Sequence, residues 1–421
     1  MSGAPKAGNV KPFLRLLTTE QAYEQVARIA ALPSHVIPSR RSLGRVLAEP
    51  VLAREDVPHF FRSNMDGFAV RAHDTFAASE TSSVALRLIG EVAMGTQAVQ
   101  PIEPGTAIRV STGAMMPPGA DAVVLVEHTE EADGCILLRS AVVSGSSTIA
   151  VAEDLRSGDL VLDAGHRVRG SDVGVITGVG RAEVTVHRIP RVGIAATGDE
   201  IVEPEDELPP GRVRNVNQYL LGSMTAALGT SVVDYGVVRD DERAIARLLE
   251  RGRDDCDVLI LSGGSSMGTK DLVLGCVADS PDAEVFFHGI SIAPGKPTML
   301  ARIGATAILG VPGNPSAAAV VFTLFASTLI RIREGEKLSR ILARRPRVHA
   351  RLAEKLSSTP GREDYVRVRL EEAGDGLPMR ALPLRGKSVT ISTIARADGL
   401  LRIPRSSEGL DAGAEVEVLL F

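Results

Sequence analysis

Four short loops hold the residues of this chain best suited to chemistry: Thr197-Gly198-Asp199-Glu200, Arg239-Asp240-Asp241, Ser262-Gly263-Gly264-Ser265 and Pro312-Gly313-Asn314-Pro315-Ser316. The third follows the continuously apolar run Val258 to Leu261, and its small residues leave backbone amides open to an anion. A helix beginning behind the loop would add the positive end of its dipole at the same point. Carboxylates stand nearby in sequence, at Glu200, Asp240 and Asp271. A plain phosphate cradle has no need of them; several carboxylates beside anion-binding amides indicate a hard divalent cation bridging protein and phosphate, most simply Mg²⁺. Lys296, in Ala293-Pro294-Gly295-Lys296-Pro297, sits in a stiff loop suited to ligand contact. Each acid also has a plain structural alternative. Either Asp240 or Asp241 could cap a helix starting near Glu242, and Asp66, in the turn Asn64 to Gly67, suits a turn on its own account.

Two nucleotide motifs fail on spacing. Gly263 to Lys270 runs G-x-x-x-x-G-T-K, with the lysine one residue later than a P-loop requires, and Gly178-Val179-Gly180 lacks the third glycine of a dinucleotide fingerprint.

The loops need elements to hold them. Strands predicted at Val192 to Ala196, Ser231 to Val238, Val258 to Leu261 and Ala307 to Val311 alternate with helices at Asn217 to Leu228, Glu242 to Arg251 and Ala317 to Ile330. That alternation predicts a central parallel α/β sheet with the four loops at the carboxyl ends of its strands, where open sheets bind ligands. Before it lie a helix in Leu16 to Leu32 and short strands separated by Pro/Gly turns from Val84 to Leu138, the pattern of a small β-module carrying Thr112 at a strand end. After it, a basic connector, Lys337 to Arg351, expected to be a solvated linker rather than a nucleic-acid patch, leads to alternating strands at Tyr365 to Leu370 and Val416 to Leu420, which predict a closing β-barrel. The expected class is therefore multidomain, α/β plus β, a central α/β domain flanked by small β-rich domains.

At roughly 150 residues per domain, 421 residues suggest about three domains. A net charge of −5 and the absence of Trp argue against nucleic acid as partner. The three cysteines form no CxxC pair, which fits a reducing cytoplasm. Ala317 to Ile330 is shorter than the roughly 18 residues that span a bilayer, so a buried helix is expected and no membrane partner. The N-terminus lacks the apolar core of a secretory signal, and the expected location is cytoplasmic.

Taken together the motifs resemble one family, the molybdopterin molybdenumtransferases, that is, the bacterial MoeA proteins and the related E domain of gephyrin. The stretches that carry the resemblance are Ser63 to Arg71, Ser111 to Ala114, Ala152 to Asp154, Ala196 to Glu200, Arg239 to Asp241, Ser262 to Asp271, Pro294 to Pro297, Gly310 to Ser316 and Ala397 to Gly399, in order along the chain. The resemblance implies a disordered lead at 1–12, a discontinuous N-terminal domain at 13–55 and 141–188, an inserted β-domain at 56–140, a MogA-like molybdopterin-binding α/β domain at 189–335 and a C-terminal β-barrel domain at 345–421. It implies a homodimer that uses Mg²⁺ to insert molybdate into adenylylated molybdopterin, releasing AMP, with molybdopterin adenylyltransferase and molybdoenzyme apoproteins as partners. By motif position the catalytic set is Asp66, Glu200, Asp240, Asp271 and Lys296, with Glu200, Asp240 and Asp271 as metal ligands. Thr112, Asp154, Ser262, Gly263, Gly264, Ser265, Pro312, Gly313, Asn314, Pro315 and Ser316 would bind the pterin substrate, and Asp66 and Thr112 would act in trans. The chain departs from the family at Ala293, often basic there; at Ser265 and Met267; at Ala152, usually Gly; and near Gly386-Lys387-Ser388. Lys270, Lys387 and Arg302 are candidates to replace the charge missing at Ala293. Two alternatives accompany this reading: a non-catalytic scaffold like gephyrin, and a diverged copy that takes tungstate.

Overall fold

Val258–Ser262 is buried at every position, which a strand achieves only with a layer on each face and a neighbour on each side. The computed structural model, which describes residues 16–263, 272–374, 378–384, 386 and 390–421, supplies all four. Arg191–Thr197 and Thr306–Val311 run parallel to this strand on either side, and Ser231–Val238 adds a fourth parallel strand beyond Arg191–Thr197. Met299–Ile303 and Ala283–His288 complete the six-stranded sheet on the other edge through antiparallel pairings, Met299–Ile303 alone running against the rest. The purely parallel expectation gives way there because only Gly304 and Ala305 separate Met299–Ile303 from Thr306–Val311. A hairpin needs about two residues, whereas a parallel crossover needs a dozen or more.

The pleat sends alternate residues of Val258–Ser262 to opposite layers. Val258 and Ile260 pack with Leu221 of the Asn217–Ala227 helix and Val320 of the apolar helix. Leu259 and Leu261 pack with Ile245 and Leu249 of Glu242–Asp255 and Val273 of Leu272–Ala278. The apolar helix runs over Pro315–Arg333, 19 residues, longer than the run of apolar residues alone suggested. By length and composition it could cross a membrane, but Val320, Val321, Phe325, Leu329 and Ile330 are fully buried in the core of this unit. Its middle turn, Phe322–Ala326, widens to a π-helix. Arg345 satisfies carbonyl groups there, donating to Leu324 O (2.5 Å) and Thr323 O (3.4 Å), and also to Thr328 Oγ1 (2.7 Å) and the Tyr23 hydroxyl (2.7 Å). The basic connector is consequently no solvated linker: Leu338–Ala343 is helical, Arg347–Leu352 is a strand, and Arg345 between them is partly buried against the π turn.

The C-terminal strands close on themselves. Glu363–Glu371, Arg380–Pro383, Arg347–Leu352, Glu415–Leu420 and Gly399–Ile403 follow one another in the sheet, and Gly399–Ile403 returns to pair with Glu363–Glu371. Ile292–Ala293, from the loop carrying Lys296, pairs in parallel with Glu363 and Asp364 of this barrel. All these elements fall in one compact unit, formed by Met1–His35, Arg45–Ala48 and Val186–Phe421.

The other unit, Val36–Gly44 and Glu49–Thr185, has a six-stranded sheet in the order Ala122–Leu125, Gly67–Val70, Thr106–Val110, Val84–Val92, Cys135–Leu138, Thr129–Ala132. It also contains the short ladders Arg62–Ser63 with Thr148–Ile149 and Val51–Leu52 with Leu160–Leu162, and the Gly170–Gly178 helix. Asp172 holds that helix start: it accepts from the Arg169 amide and guanidinium (2.7 and 2.8 Å) and lies 2.7 Å from His166 Nε2.

Candidate functional site

Because four strands of the central sheet are parallel, their carboxyl ends share one edge. Thr197 ends one, Asp240 follows the second, Ser262 ends the third and Pro312 follows the fourth. These residues line a single cleft of about 800 Å³ with Glu200, Asn215, Asn217, Gly263, Gly313, Asn314 and Pro315. Gly263 lies where no side chain fits. Its φ is +97°, and a Cβ there would stand 2.3 Å from Thr197 O. Asn217 ties the floor together, donating from Nδ2 to Ser262 Oγ (2.6 Å) and Gly313 O (2.7 Å). The oxygens Thr197 Oγ1, Asn215 Oδ1 and Asn217 Oδ1 are buried with no hydrogen-bond partner among the described residues, a concentration that marks a ligand site better than a packed core.

The two neighbouring acids divide their tasks. Asp241 is the helix cap, accepting from the Ala244 amide at 2.9 Å. Asp240 faces the cleft. Although its side chain is exposed on one side, partial burial pushes its carboxyl above the usual range. The adjacent Thr197 hydroxyl opposes this, and the Glu200 and Asp199 carboxylates push it further up. Accumulated negative charge of this kind suits a cation. Glu200 and Asp240 are the two proposed metal ligands within the described residues; among these residues no cluster of three or more metal-binding side chains is found. Asp271, the third residue expected to bind metal, lies outside the described residues, as do Gly264, Ser265, Met267, Lys270 and Lys387.

Lys296 lines an adjoining cleft of about 460 Å³ with Ala293 and Arg362; the two clefts share Pro297, Pro312 and Asn314. Arg302 does not replace the charge missing at Ala293, since it donates to Glu284 at 3.0 Å in the antiparallel hairpin. The cations on the described walls of this cleft are Lys296 and Arg362. Ser316 is fully buried in the first turn of the apolar helix and is not on the cleft surface.

In the other unit, Asp66 and Thr112 are joined directly: Asp66 Oδ1 accepts from the Thr112 amide (2.7 Å) and hydroxyl (3.1 Å). Asp154 is exposed, and its amide donates to Val57 O at 3.0 Å. Just before it, Ala152 takes φ +58°, a left-handed conformation that explains the glycine usual there in the family. Sequence reasoning placed Thr197 in a site loop without giving it a role, and missed Asn215 and Asn217 as site residues. Asn217 had one visible signal, a polar residue opening an otherwise apolar helix, but that reads equally well as a cap.

The fold and the cleft define a multidomain α/β protein with an acidic, glycine-lined ligand site at the carboxyl edge of a mixed sheet. Models for the MoeA N-terminal region (domains I and II), a probable molybdopterin-binding domain and the MoeA C-terminal region (domain IV) match residues 17–180, 193–331 and 349–421. The chain is 31% identical over 383 residues to a molybdopterin molybdenumtransferase of Staphylococcus epidermidis, covering 90% of this chain and 89% of that protein. It is 30% identical over 388 residues to a putative molybdopterin biosynthesis protein of Methanocaldococcus jannaschii, covering 90% of each. A crystal structure of the molybdopterin biosynthesis MoeA protein of Pyrococcus horikoshii superposes with a TM-score of 0.78 at 35% identity, over 96% of this chain and 99% of that one. The chain belongs to the MoeA family of molybdopterin molybdenumtransferases, transferases of molybdenum cofactor biosynthesis.

Proposed function

We propose that this chain inserts molybdate into adenylylated molybdopterin in an Mg²⁺-dependent reaction that releases AMP. The observation that carries the reading is the placement of Glu200 and Asp240 in one cleft with the strand-end glycines Gly263 and Gly313. In this proposal the loops at Ser262-Gly263 and Pro312 to Pro315 seat the phosphate and pterin, since small residues there let a ligand approach the backbone closely. Glu200 and Asp240, with Asp271, hold Mg²⁺, which when bound neutralises pyrophosphate charge and orients it for cleavage. Lys296 offsets the charge that develops as the bond between the two phosphoryl groups breaks and AMP departs. Lys296 and Arg362 attract the oxyanion to the adjoining cleft. Asp66, held by Thr112, is assigned to proton handling in trans within a homodimer, as the family resemblance implies. The cytoplasm is the proposed location, with a molybdopterin adenylyltransferase upstream and molybdoenzyme apoproteins downstream.

The test is incubation of purified protein with adenylylated molybdopterin, Mg²⁺ and molybdate, following AMP and reconstitution of an apo-molybdoenzyme. AMP release coupled to cofactor formation, and abolished by chelation, is expected. Absence of both products would favour the scaffold reading, AMP release indifferent to molybdate would indicate a pyrophosphate hydrolase, and preference for tungstate would redefine the oxyanion.

A further inference from the structure

Two residues that line the larger cleft carry buried amide oxygens that no described residue satisfies. Asn215 and Asn217 are 4% and 8% exposed, and neither Oδ1 has a hydrogen-bond partner among the described residues. Reversing the amides would not remove the problem, because each nitrogen is committed to groups that can only accept. Asn217 Nδ2 donates to the backbone oxygen of Gly313 at 2.7 Å. Asn215 Nδ2 donates to Glu203 Oε1 at 3.1 Å and to Gln218 Oε1 at 3.2 Å. Gln218 is itself oriented, since its nitrogen donates to the Asp234 carboxylate. The order therefore propagates: Asp234 fixes Gln218, Gln218 and Glu203 fix Asn215, and the oxygen of Asn215 is the atom left over.

Two oriented acceptors without donors are a standing cost that a ligand bearing N–H groups removes. We propose that Asn215 and Asn217 read the amino-pyrimidinone edge of the pterin, where a ring N–H and an exocyclic amino group stand side by side as donors. The inference rests on the substrate assigned under the proposed function and deepens it by orienting that substrate. Adenine, the other heterocycle of an adenylylated pterin, presents an amino donor beside a ring-nitrogen acceptor, and the acceptor would face an unpaired amide oxygen. The asparagines thus sort the two ends of the substrate, with the pterin against this wall and the nucleotide away from it.

Calorimetric binding of 6-hydroxymethylpterin and 6-hydroxymethyllumazine to the full-length protein tests this, because the second probe carries a carbonyl in place of the amino group. The lumazine should bind about tenfold more weakly, the cost of one mismatched buried hydrogen bond. In Asn215→Leu the preference should fall to within about twofold, the ligand then meeting an apolar wall. The wild-type comparison needs no variant and stands if Asn215→Leu does not fold. Equal binding of both probes by the wild type, or an undiminished preference in a folded Asn215→Leu, overturns the inference. AMP release from adenylylated molybdopterin, measured on the same preparation, separates the failures: release without pterin preference overturns this inference alone, while neither release nor probe binding overturns it together with the proposed function.

Discussion

Replacing Asp240 by Asn should stabilise the protein while removing its activity, a combination expected of an acid retained for function and not of one retained for folding. The structure supplies the sign. Burial and the Glu200 and Asp199 carboxylates raise the pKa of Asp240 in the folded state, so the folded protein binds its proton more tightly than the unfolded chain does. Below the unfolded pKa the carboxyl is neutral in both states and costs nothing. As pH rises from the unfolded pKa through the raised folded value the cost appears, and it is complete above that value. For a side chain exposed on one side, two like-charge neighbours amount to about 0.5–1 kcal/mol after solvent screening. That corresponds to a Tm increase of about 1–4 °C for a domain of this class.

Thermal unfolding followed by circular dichroism, at pH 7.5 and again near pH 4 with and without Mg²⁺, measures it. Asp240→Asn should melt higher at pH 7.5 in chelator, and the difference should shrink toward pH 4. Saturating Mg²⁺ should reverse the order, because binding at about 100 times Kd adds about 2.7 kcal/mol to a protein that holds the ion. Lower stability of the variant in chelator would refute the reasoning, since Asp240 would then be serving the fold as Asp241 does. An equal Mg²⁺ response in both proteins would remove Asp240 from the metal site.

Three further perturbations follow from geometry. Gly263→Ala puts a Cβ 2.3 Å from Thr197 O at φ +97°, and should cost more than about 2 kcal/mol in denaturant unfolding while abolishing AMP release. Ala152→Gly relieves a left-handed alanine at φ +58° and should add about 0.5–1 kcal/mol in the same assay, after the added freedom of the unfolded chain is subtracted. Asp172→Asn takes the carboxylate from the buried His166 and from the solvent-exposed Arg169 guanidinium and should cost about 1–3 kcal/mol, chiefly through the buried hydrogen bonds. The Arg169 and His166 contacts hold the Asp172 carboxyl well below the usual range, so its contribution is complete above the unfolded carboxylate pKa and is lost as pH falls through the depressed folded value. The destabilisation caused by Asp172→Asn, measured by acid titration of unfolding, should therefore shrink progressively once pH falls below about 4 and disappear only in strong acid.

What the sequence disclosed and what it withheld divide along physical lines. Alternation of apolar strands and helices is a local signal, and Ser231–Val238 and the starts of the helices at Asn217 and Glu242 were legible to the residue. The hairpin at Gly304-Ala305 was not, because a short apolar strand has the same appearance in either direction. The Lys337 to Arg351 segment misled for a different reason. Basic residues are usually solvated, but Arg345 meets carbonyls in a widened helical turn, and the widening depends on how Pro315–Arg333 packs. No local pattern in the connector announces that demand.

The site shows the same division more sharply at Asp240 and Asp241. Composition and spacing bring two adjacent acids to a strand end, and both uses, cap and ligand, are available to either. The choice is made by direction. Asp241 is the residue whose carboxylate reaches the Ala244 amide, and this leaves Asp240 lining the cleft with Thr197 and Glu200. Asn215 and Asn217 were invisible for a related reason: their importance lies in which end of each amide is left unpaired, and that depends on Asp234, Glu203 and Gly313, none of them a near neighbour in sequence. A carboxylate at a strand end advertises itself by type; an oriented amide is defined only by its neighbours, so the residues that would select the ligand emerge last from a sequence that readily discloses those that would act on it.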